Sequence, residues 1–567
     1  MRYPVDNQEG LVVINLAIVS VLAGVCAVQP GAEHDGSGGK RETKSTGAAG
    51  GAGNPHGQAG SGAAGTPLDW KALEAPLLTE HVQLTSRDKF VKAGEAYFDH
   101  NSPPRWVVFQ AVPVPEKGKE PDGFYGMYVA KLTYDGGKIA GIEEAERISP
   151  DRSANTCGWF HPTEAGLVIY GSTLKRPEAK ERPGFQVGTN RYVWQFPPEM
   201  EIVQRSVVAV FDDEYNRRVK EYDEKYGPTP RTPPPWPTDT NATPVFARPN
   251  YDAECSYTKD GRFILYAHVR DEATRGKDDA DIWVYDTKTG KQHEIVKADG
   301  YDGGPFFSPD GKRICYRSDR EGNDKLQLFV ADLKFDADGV PVGIEREHQV
   351  TANEHVNWAP FWHPSGRFLI YGTSAMGHSN YEVFAVEVPE ARDGAKKAGE
   401  LRSRRITSAS GADVLPVFSD DGQWMMWTAQ RGAMVEGESK PSSQVWVART
   451  TGVFGDVGKL FDARSAAANV LNREQATKRI TELLRASEAE GKAKMPAGGH
   501  YPDYDLSKLR VERVKGAWRG RVNPWNVPDG DKDVLVLDDG RTFVLSASRP
   551  PPQEIEEWVY AAVIPDP

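Results

Sequence analysis

Residues Tyr301 to Asp332 read YDGGPFFSPDGKRICYRSDREGNDKLQLFVAD and contain the clearest secondary-structure pattern in the chain. The turn sequence SPDG separates two alternating apolar runs, and a second polar turn, SDREGND, leads into a third run. Pro, Asp, Asn and Gly supply the backbone angles that tight turns require, while β-branched and aromatic residues at a period of two favour strands. The stretch therefore predicts an antiparallel meander.

The same pattern recurs along the chain. Copies begin YDAECSY, VNWAPFW and ADVLPVF at Tyr251, Val356 and Ala412, and two weaker copies precede them. The residues that open the first strands are Ala93, Asn155, Asp252, Asp302, Asn357 and Asp413, and the last four are 50, 55 and 56 residues apart. Short strands that return at a near-constant spacing define a repeat fold.

Each copy is followed by a third strand, and the first five copies are also followed by a fourth. The sixth copy lacks a fourth strand, but Val82 to Thr85, upstream of the first copy, has its form. We therefore predict an all-β fold, a six-bladed β-propeller of four-stranded antiparallel blades in which the N-terminal strand completes the last blade. Radial closure of this kind protects the sheet edges.

The combination of SPDG with SDREGN, and the FSPDGKRI form of the second strand, resembles the TolB-type propeller repeat over roughly residues 82 to 462. Proteins with this repeat include periplasmic TolB proteins and the propeller domains attached to serine or metal-dependent peptidases. The resemblance implies a binding scaffold with a protein or peptidoglycan-associated partner. Because folds host many functions, it fixes the fold better than the activity.

The chain divides into residues 1–30, 31–66, 67–464 and 465–567. The apolar run from Leu11 to Val25 is typical of a signal peptide and short for a membrane span. LAGVC resembles a lipoprotein-processing box ending at Cys26, although Val25 stands where a small residue is expected, so lipidation, ordinary cleavage and an uncleaved anchor all stay open. We expect an exported protein, periplasmic or tethered to the envelope, that touches the membrane only through this segment.

Three further segments lie outside the repeats. Residues 31–66 are mostly Gly, Ala and Ser and predict a disordered tether. An insertion in blade 2, about residues 176–240, reads either as a strap on the outer wall or as a partner-binding arm. Beyond the propeller, a helix from Asn472 to Glu490, ended by Gly491, and a hairpin of Val534–Leu537 and Thr542–Leu545 predict a small α+β unit.

Composition and motifs exclude several functions. The net charge of −12 argues against a nucleic-acid surface. Four cysteines without a Cys-x-x-Cys pair argue against a disulfide framework or a zinc knuckle, and Cys157, Cys255 and Cys315 are expected to be buried. The chain has no Gly-x-Ser-x-Gly nucleophile elbow and no phosphate loop.

The residues that open the copies form the strongest candidate site. In a propeller they meet around one end of the central channel, so Asn155, Asp252, Asp302, Asn357 and Asp413 either fix the loops between blades or line the mouth. If they line it, Glu95 and Glu254, two residues further in, add negative charge that attracts a cation or the amino groups of a partner. No cofactor is otherwise implied, although the carboxylates suit a hard cation such as Ca²⁺.

Aromatic residues and histidines complete the candidates. Tyr251, Tyr301 and Trp358 neighbour the opening residues and are expected to be exposed for contact with a partner. His378 lies in a loop and is the histidine that we expect to be functional. His161 and His363 occupy one turn position in two copies, which favours bonding to the backbone of the turn.

These observations favour a non-catalytic scaffold that binds an envelope protein or peptide at the channel mouth. The alternative is a propeller enzyme, a glycan or peptide hydrolase or lyase that uses carboxylates of the channel as acid and base. Glycoside chemistry needs two carboxylates roughly 5 to 9.5 Å apart.

Overall fold

The computed structural model describes residues 69–177, 184–186, 191–193, 196–207, 227, 241–270, 279–323, 325–376, 380–389, 398–435, 440–462, 473–493, 495, 501–514, 517–524, 532–537 and 542–546. The described residues from Trp70 to Asp462 belong to one compact unit, and those from Arg473 onward belong to a second.

The described part of the first unit contains six sheets with the same antiparallel order. Blade 1 comprises β2 (Phe90–Phe98), β3 (Trp106–Pro113), β4 (Gly126–Asp135), β5 (Lys138–Ile142) and the short β6 (Glu146–Arg147), which pairs with β4. Blade 2 comprises β7 (Asn155–Phe160), β8 (Leu167–Ser172), β11 (Glu201–Ser206) and β12 (Thr243–Pro244), and β9 (Gly184–Gln186) and β10 (Arg191–Val193) form a separate hairpin.

The next three sheets repeat the meander. Blade 3 comprises β13 (Asp252–Tyr257), β14 (Phe263–Val269), β15 (Ala280–Asp286) and β16 (Gln292–Val296). Blade 4 comprises β17 (Asp302–Phe307), β18 (Arg313–Ser318), β19 (Gln327–Phe335) and β20 (Pro341–Gln349). Blade 5 comprises β21 (Asn357–Trp362), β22 (Phe368–Thr373), β23 (Glu382–Glu387) and β24 (Ser403–Arg405). Single-turn 3₁₀ helices at Ser374–Met376 and Ala398–Glu400 lie in the connections of blade 5.

Blade 6 joins the two ends of the propeller. It comprises β25 (Asp413–Phe418), β26 (Trp424–Ala429), β27 (Gln444–Thr450) and β1 (Leu78–Gln83), the N-terminal strand. β1 pairs antiparallel with β27, so that Val82 lies opposite Val447. Each sheet contacts the next, and β2 of blade 1 contacts β25 and β26 of blade 6, which closes the ring. The predicted propeller, closed by its N-terminal strand, is confirmed.

Two short helices flank the closure. Helix α1 (Trp70–Glu74) precedes β1, and helix α2 (Val457–Leu460) follows β27. The side chain of Asp456 caps α2 by accepting from the backbone N–H of Lys459. Leu77, Leu460 and residues of β26 pack in one apolar cluster, so hydrophobic burial holds the N-terminal strand to the last blade.

The second unit contains helix α3 (Arg473–Ala493), a 3₁₀ turn at Leu506–Lys508, and the meander β28 (Arg510–Val514), β29 (Ala517–Val522), β30 (Lys532–Leu537) and β31 (Thr542–Ser546). One face of α3, with Ile480 and Leu484, packs against Trp518 and Val534. The sequence predicted the hairpin but missed β28 and β29. The expectation that Gly491 ends the helix is wrong.

Gly491 lies inside helix α3 because of its packing against a neighbouring side chain. A β-carbon at Gly491 would lie 2.1 Å from the ring of Tyr501, so glycine at this position lets the tyrosine approach the helix. The tether, most of the insertion in blade 2, and Asn472 lie outside the described residues.

Candidate functional site

The carboxylates that open β13, β17 and β25 are buried, at most 1% exposed, and each pairs with its own basic side chain. Arg248 donates to Asp252 at 2.7 and 2.9 Å, and Nδ1 of His268 lies 3.0 Å from the same carboxylate. Nη2 of Arg320 donates to Oδ1 of Asp302 at 3.0 Å. Each of the three carboxylates therefore has a basic partner of its own.

Asp302 and Asp413 differ in how fully they are satisfied. Oδ2 of Asp302 is buried without a hydrogen-bond partner, and burial raises the pKa of this carboxyl to about 6. Asp413 accepts from Nη2 of Arg431 and, at 3.3 Å, from Nε1 of Trp427. Burial nevertheless raises the pKa of Asp413, because the Arg431 charge only partly opposes it.

The two opening asparagines bind backbone carbonyls of nearby loops. Nδ2 of Asn155 donates to the carbonyls of Tyr125 and Ser153 at 2.8 and 3.0 Å. Nδ2 of Asn357 donates to the carbonyl of His355 at 3.2 Å. Of the two roles that the sequence left open for the opening residues, these contacts correspond to fixing the loops between blades.

The expected exposure of the neighbouring aromatic residues is wrong. Tyr251, Tyr301 and Trp358 are 0%, 1% and 2% exposed and belong to one buried cluster. Phe196, from the insertion in blade 2, packs edge-on against Tyr251 at 5.0 Å and stacks on Tyr301 at 5.6 Å between ring centroids. Trp358 lies against Tyr381. The insertion thus covers aromatic surface that the repeat alone would expose.

Every first strand has a bulge two residues after its opening residue, where the pairing register with the second strand shifts. The residues at the bulge are Glu95, Cys157, Glu254, Gly304, Ala359 and Leu415, and all six have φ between +45° and +58°. A β-bulge re-aims the side chain that it carries. Left-handed backbone at non-glycine residues clusters at functional sites, which directs attention to this level of the channel.

Glu254 is the centre of a buried network within the bulge level. Its carboxylate accepts from Oη of Tyr301 at 2.8 Å and from Nη2 of Arg317 at 3.3 Å, and the N–H of Gly304 also donates to it. Arg317 donates to Oη of Tyr301 at 2.6 Å and is 2% exposed. A β-carbon at Gly304 would lie 2.3 Å from Nη1 of Arg317, so glycine makes room for the guanidinium.

Glu95 forms a second part of the network with Cys157. Sγ of Cys157 donates to Oε1 of Glu95 at 2.8 Å, and Oγ1 of Thr156 donates to Oε2 at 3.2 Å. Burial, assisted by the charge of Glu254, raises the pKa of Glu95, and burial raises the pKa of Cys157. An acid whose pKa is raised thus lies in the same network as Glu254, which is paired with Arg317.

Sequence reasoning identified Glu95 and Glu254 but missed Arg317, which lies on the second strand of blade 4. The glycine at the bulge of that copy, where other copies carry side chains, is the signal that points to it. The cysteines behave as predicted: Cys157, Cys255 and Cys315 are free and buried.

Two of the candidate residues are not placed by the structure. His378 and Cys26 lie outside the described residues. Within the described ranges, no group of three His, Cys, Asp or Glu side chains is placed to hold a metal ion. Among the same residues, no helix combines the length and the apolar character needed to cross a membrane.

Comparison with known proteins places this geometry in context. No family model matches the chain. The chain is 26% identical to the uncharacterized peptidase YuxL of Bacillus subtilis over 205 residues, which is 30% of this chain and 28% of that protein. It is 25% identical to the Tol-Pal system protein TolB of Wolinella succinogenes over 158 residues, 27% of this chain and 32% of that protein.

The matched part thus spans about a third or less of each curated relative. A solved structure of TolB from Acinetobacter baumannii is similar with a TM-score of 0.33 and 14% identity, over 64% of each chain. The sequence match to TolB, together with the six equivalent sheets, confirms the prediction of a TolB-like propeller.

Proposed function

We propose that this TolB-like propeller is a non-catalytic binding scaffold of the cell envelope that receives a protein or peptide partner at the channel end where the first strands begin. The observation that carries the proposal is the pairing of each buried opening carboxylate with a basic side chain. Groups held in this way stiffen the rim, and because all three carboxylates are at most 1% exposed they have little direct access to a substrate. A rigid frame with variable loops is the usual basis of recognition in such folds.

The nature of the partner follows from the resemblance. The match to a protein named as part of the Tol-Pal system supports an envelope partner. An exported chain, tethered through residues 31–66, would meet such a partner in the periplasm. The partner is thus a protein or a peptide rather than a nucleic acid, in keeping with the net charge of −12.

The test is affinity capture from an envelope extract with two charge-matched triple variants. The first changes the exposed Arg152, Lys175 and Glu354 to alanine, at the end where the first strands begin. The second changes the exposed Lys259, Arg367 and Glu164 to alanine, in the turns at the other end of the first strands.

We expect a captured protein, identified by mass spectrometry and rebound in purified form, to lose at least ~10-fold in affinity with the first variant only. Equal melting temperatures must accompany this result. Equal affinity of both variants, or no partner in any extract, would contradict the proposal.

A carboxylate enzyme is the second candidate, and one observation favours it. Glu95 has a raised pKa and interacts electrostatically with Glu254, which is paired with Arg317, as in sites that separate an acid from a charged carboxylate. The peptidase relative supports the same class. Turnover of glycans or peptides that Glu95→Gln abolishes in a normally folded protein would replace the scaffold proposal.

A further inference from the structure

The residues that immediately precede the six opening residues differ in one copy. In copies two to six they are Ala154, Tyr251, Tyr301, Val356 and Ala412, and all five belong to one buried apolar cluster at the channel end. In the first copy the equivalent residue is Lys92. The repeat therefore places one ammonium group where every other copy has an apolar side chain.

Lys92 is half-buried and has no carboxylate partner among the described residues. Its Nζ lies 4.3 Å from the ring centroid of Tyr125, a cation–π contact. Burial lowers the pKa of Lys92 to about 8, and no neighbouring charge counteracts this effect. A half-buried ammonium without a counter-ion carries a desolvation cost that an anion would relieve.

A second cation lies on the adjacent aromatic residue. The guanidinium of Arg176 lies 5.3 Å from the ring centroid of Phe124, the residue before Tyr125, and Phe124 belongs to the same apolar cluster. Arg176 is exposed and has no ion pair among the described residues. The acid of this loop, Asp122, accepts from the backbone N–H of Phe124 at 3.3 Å.

We propose that Lys92 and Arg176, over the Phe124–Tyr125 pair, bind a carboxylate group of an incoming ligand, an acidic side chain or C-terminus of the partner peptide. This inference rests on the proposed scaffold function and names the chemistry of its partner. The two cations supply charge-assisted donors for the carboxylate. Phe124 and Tyr125 are only 2% and 1% exposed, so their rings hold the two cations in place and do not themselves contact the ligand.

The site is tested without the natural partner, on the full chain, by ligand-observed NMR with three probes. These are N-acetylphenylalanine, its neutral amide, and inorganic phosphate. The variants are Lys92→Met, Arg176→Met and, as a matched control, Lys312→Met, an exposed lysine in a turn between the first and second strands of blade 4. Reductive ¹³C-methylation gives a second readout, because the resonance missing in Lys92→Arg identifies Lys92.

We expect saturable binding of N-acetylphenylalanine, a shift of the Lys92 resonance, and at least ~10-fold weaker binding by Lys92→Met, with a smaller loss for Arg176→Met. Lys312→Met should bind like the wild type, and the amide should not bind. Equal binding of acid and amide, unchanged binding by Lys92→Met, or tighter binding of phosphate would overturn the assignment.

The outcome is separable from that of the scaffold proposal. If the probes fail while a partner is captured, the carboxylate site is wrong and the scaffold stands. If Lys92 binds the acid and no partner is captured from any extract, the scaffold proposal fails while the site stands.

Discussion

Replacement of Arg431 by methionine should destabilise the propeller at its closure. The guanidinium is 1% exposed and lies between two buried carboxylates, one on α1 and one on β25. Nη1 and Nη2 of Arg431 each donate to Glu74 at 3.0 Å, and Nη2 also donates to Asp413. The ring of Trp70 lies 4.3 Å from the same guanidinium. One side chain therefore ties the N-terminal segment to the last blade.

The magnitude follows from the charges left behind. Removal of one partner from a buried ion pair costs about 3–5 kcal/mol, because the other charge stays buried and unpaired. At ~2 °C per kcal/mol for a large domain, the melting temperature should fall by roughly 6–10 °C. The acidic groups would respond by taking up protons.

The pH dependence has a defined sign. In the wild type, burial raises the pKa of Glu74, but Arg431 and His81 outweigh it and the pKa is lowered. Glu74 thus adds stability above its unfolded pKa that is lost as pH falls. In Arg431→Met we expect the opposite pH dependence. Without the arginine charge, burial dominates and raises the folded-state pKa of the acids above the unfolded-state values. Stability should then rise as pH falls.

The assay is thermal unfolding between pH 4.5 and 8, with Arg449→Met as the control. Arg449 is 40% exposed and lies 3.7 Å from Glu80 on the same sheet, so its loss should cost less than ~1 kcal/mol. Equal melting temperatures of the two variants at every pH would contradict this role of Arg431. A triple variant that also carries Glu74→Gln and Asp413→Asn should recover part of the loss, because no buried charge remains unpaired.

Two buried carboxyl groups and the glycine beside Arg317 can also be tested. The pKa of Asp302, raised to about 6, and of Glu382, raised to about 8, mean that the folded state holds protons which the unfolded state has released. Stability should therefore decline as pH rises from about 4 to 8, and Asp302→Asn should flatten the lower half of that decline by up to ~3 kcal/mol in denaturant titrations; an unchanged profile would contradict it. Gly304→Ala should lower stability by more than Gly311→Ala, because both glycines have positive φ but only the first would place a β-carbon against Arg317. Thermal melts followed by circular dichroism measure the difference. Equal losses of stability would show that the Arg317 guanidinium is not packed against Gly304.

The repeat was predictable because local chemistry dictates it. Turn residues and alternation set each meander, and the missing strand of the last copy required an N-terminal strand to cover its edge. The histidines at equivalent turns were also predicted correctly: Nδ1 of His161 accepts from the N–H of Glu164 at 2.9 Å, and Nδ1 of His363 from that of Ser365 at 3.2 Å. Contacts within a few residues are readable from a sequence.

The partners of the opening carboxylates were harder to predict because they depend on loops. Asp302 pairs with Arg320 and Asp413 with Arg431, each 18 residues later, and that spacing was a usable signal. It fails in blade 3, where the arginine at that spacing pairs with the acid at position 281 and Arg248 binds Asp252 instead. The packing of Phe196 over Tyr251 and Tyr301 was harder still to predict, because the insertion in blade 2 has no equivalent in the other copies.

The bulge level separates what the fold needs from what this chain adds. Six residues share nearly the same left-handed backbone, so the propeller requires a bulge there but no particular side chain. Blades 4 to 6 fill it with Gly304, Ala359 and Leu415, whereas blades 1 to 3 place two glutamates and a cysteine in the channel. Burying the two glutamates carries a desolvation cost that the apolar copies avoid, and for Glu254 the pairing with Arg317 offsets part of it. Function in this chain is therefore expected where the copies differ, at this level and at Lys92, rather than where they agree.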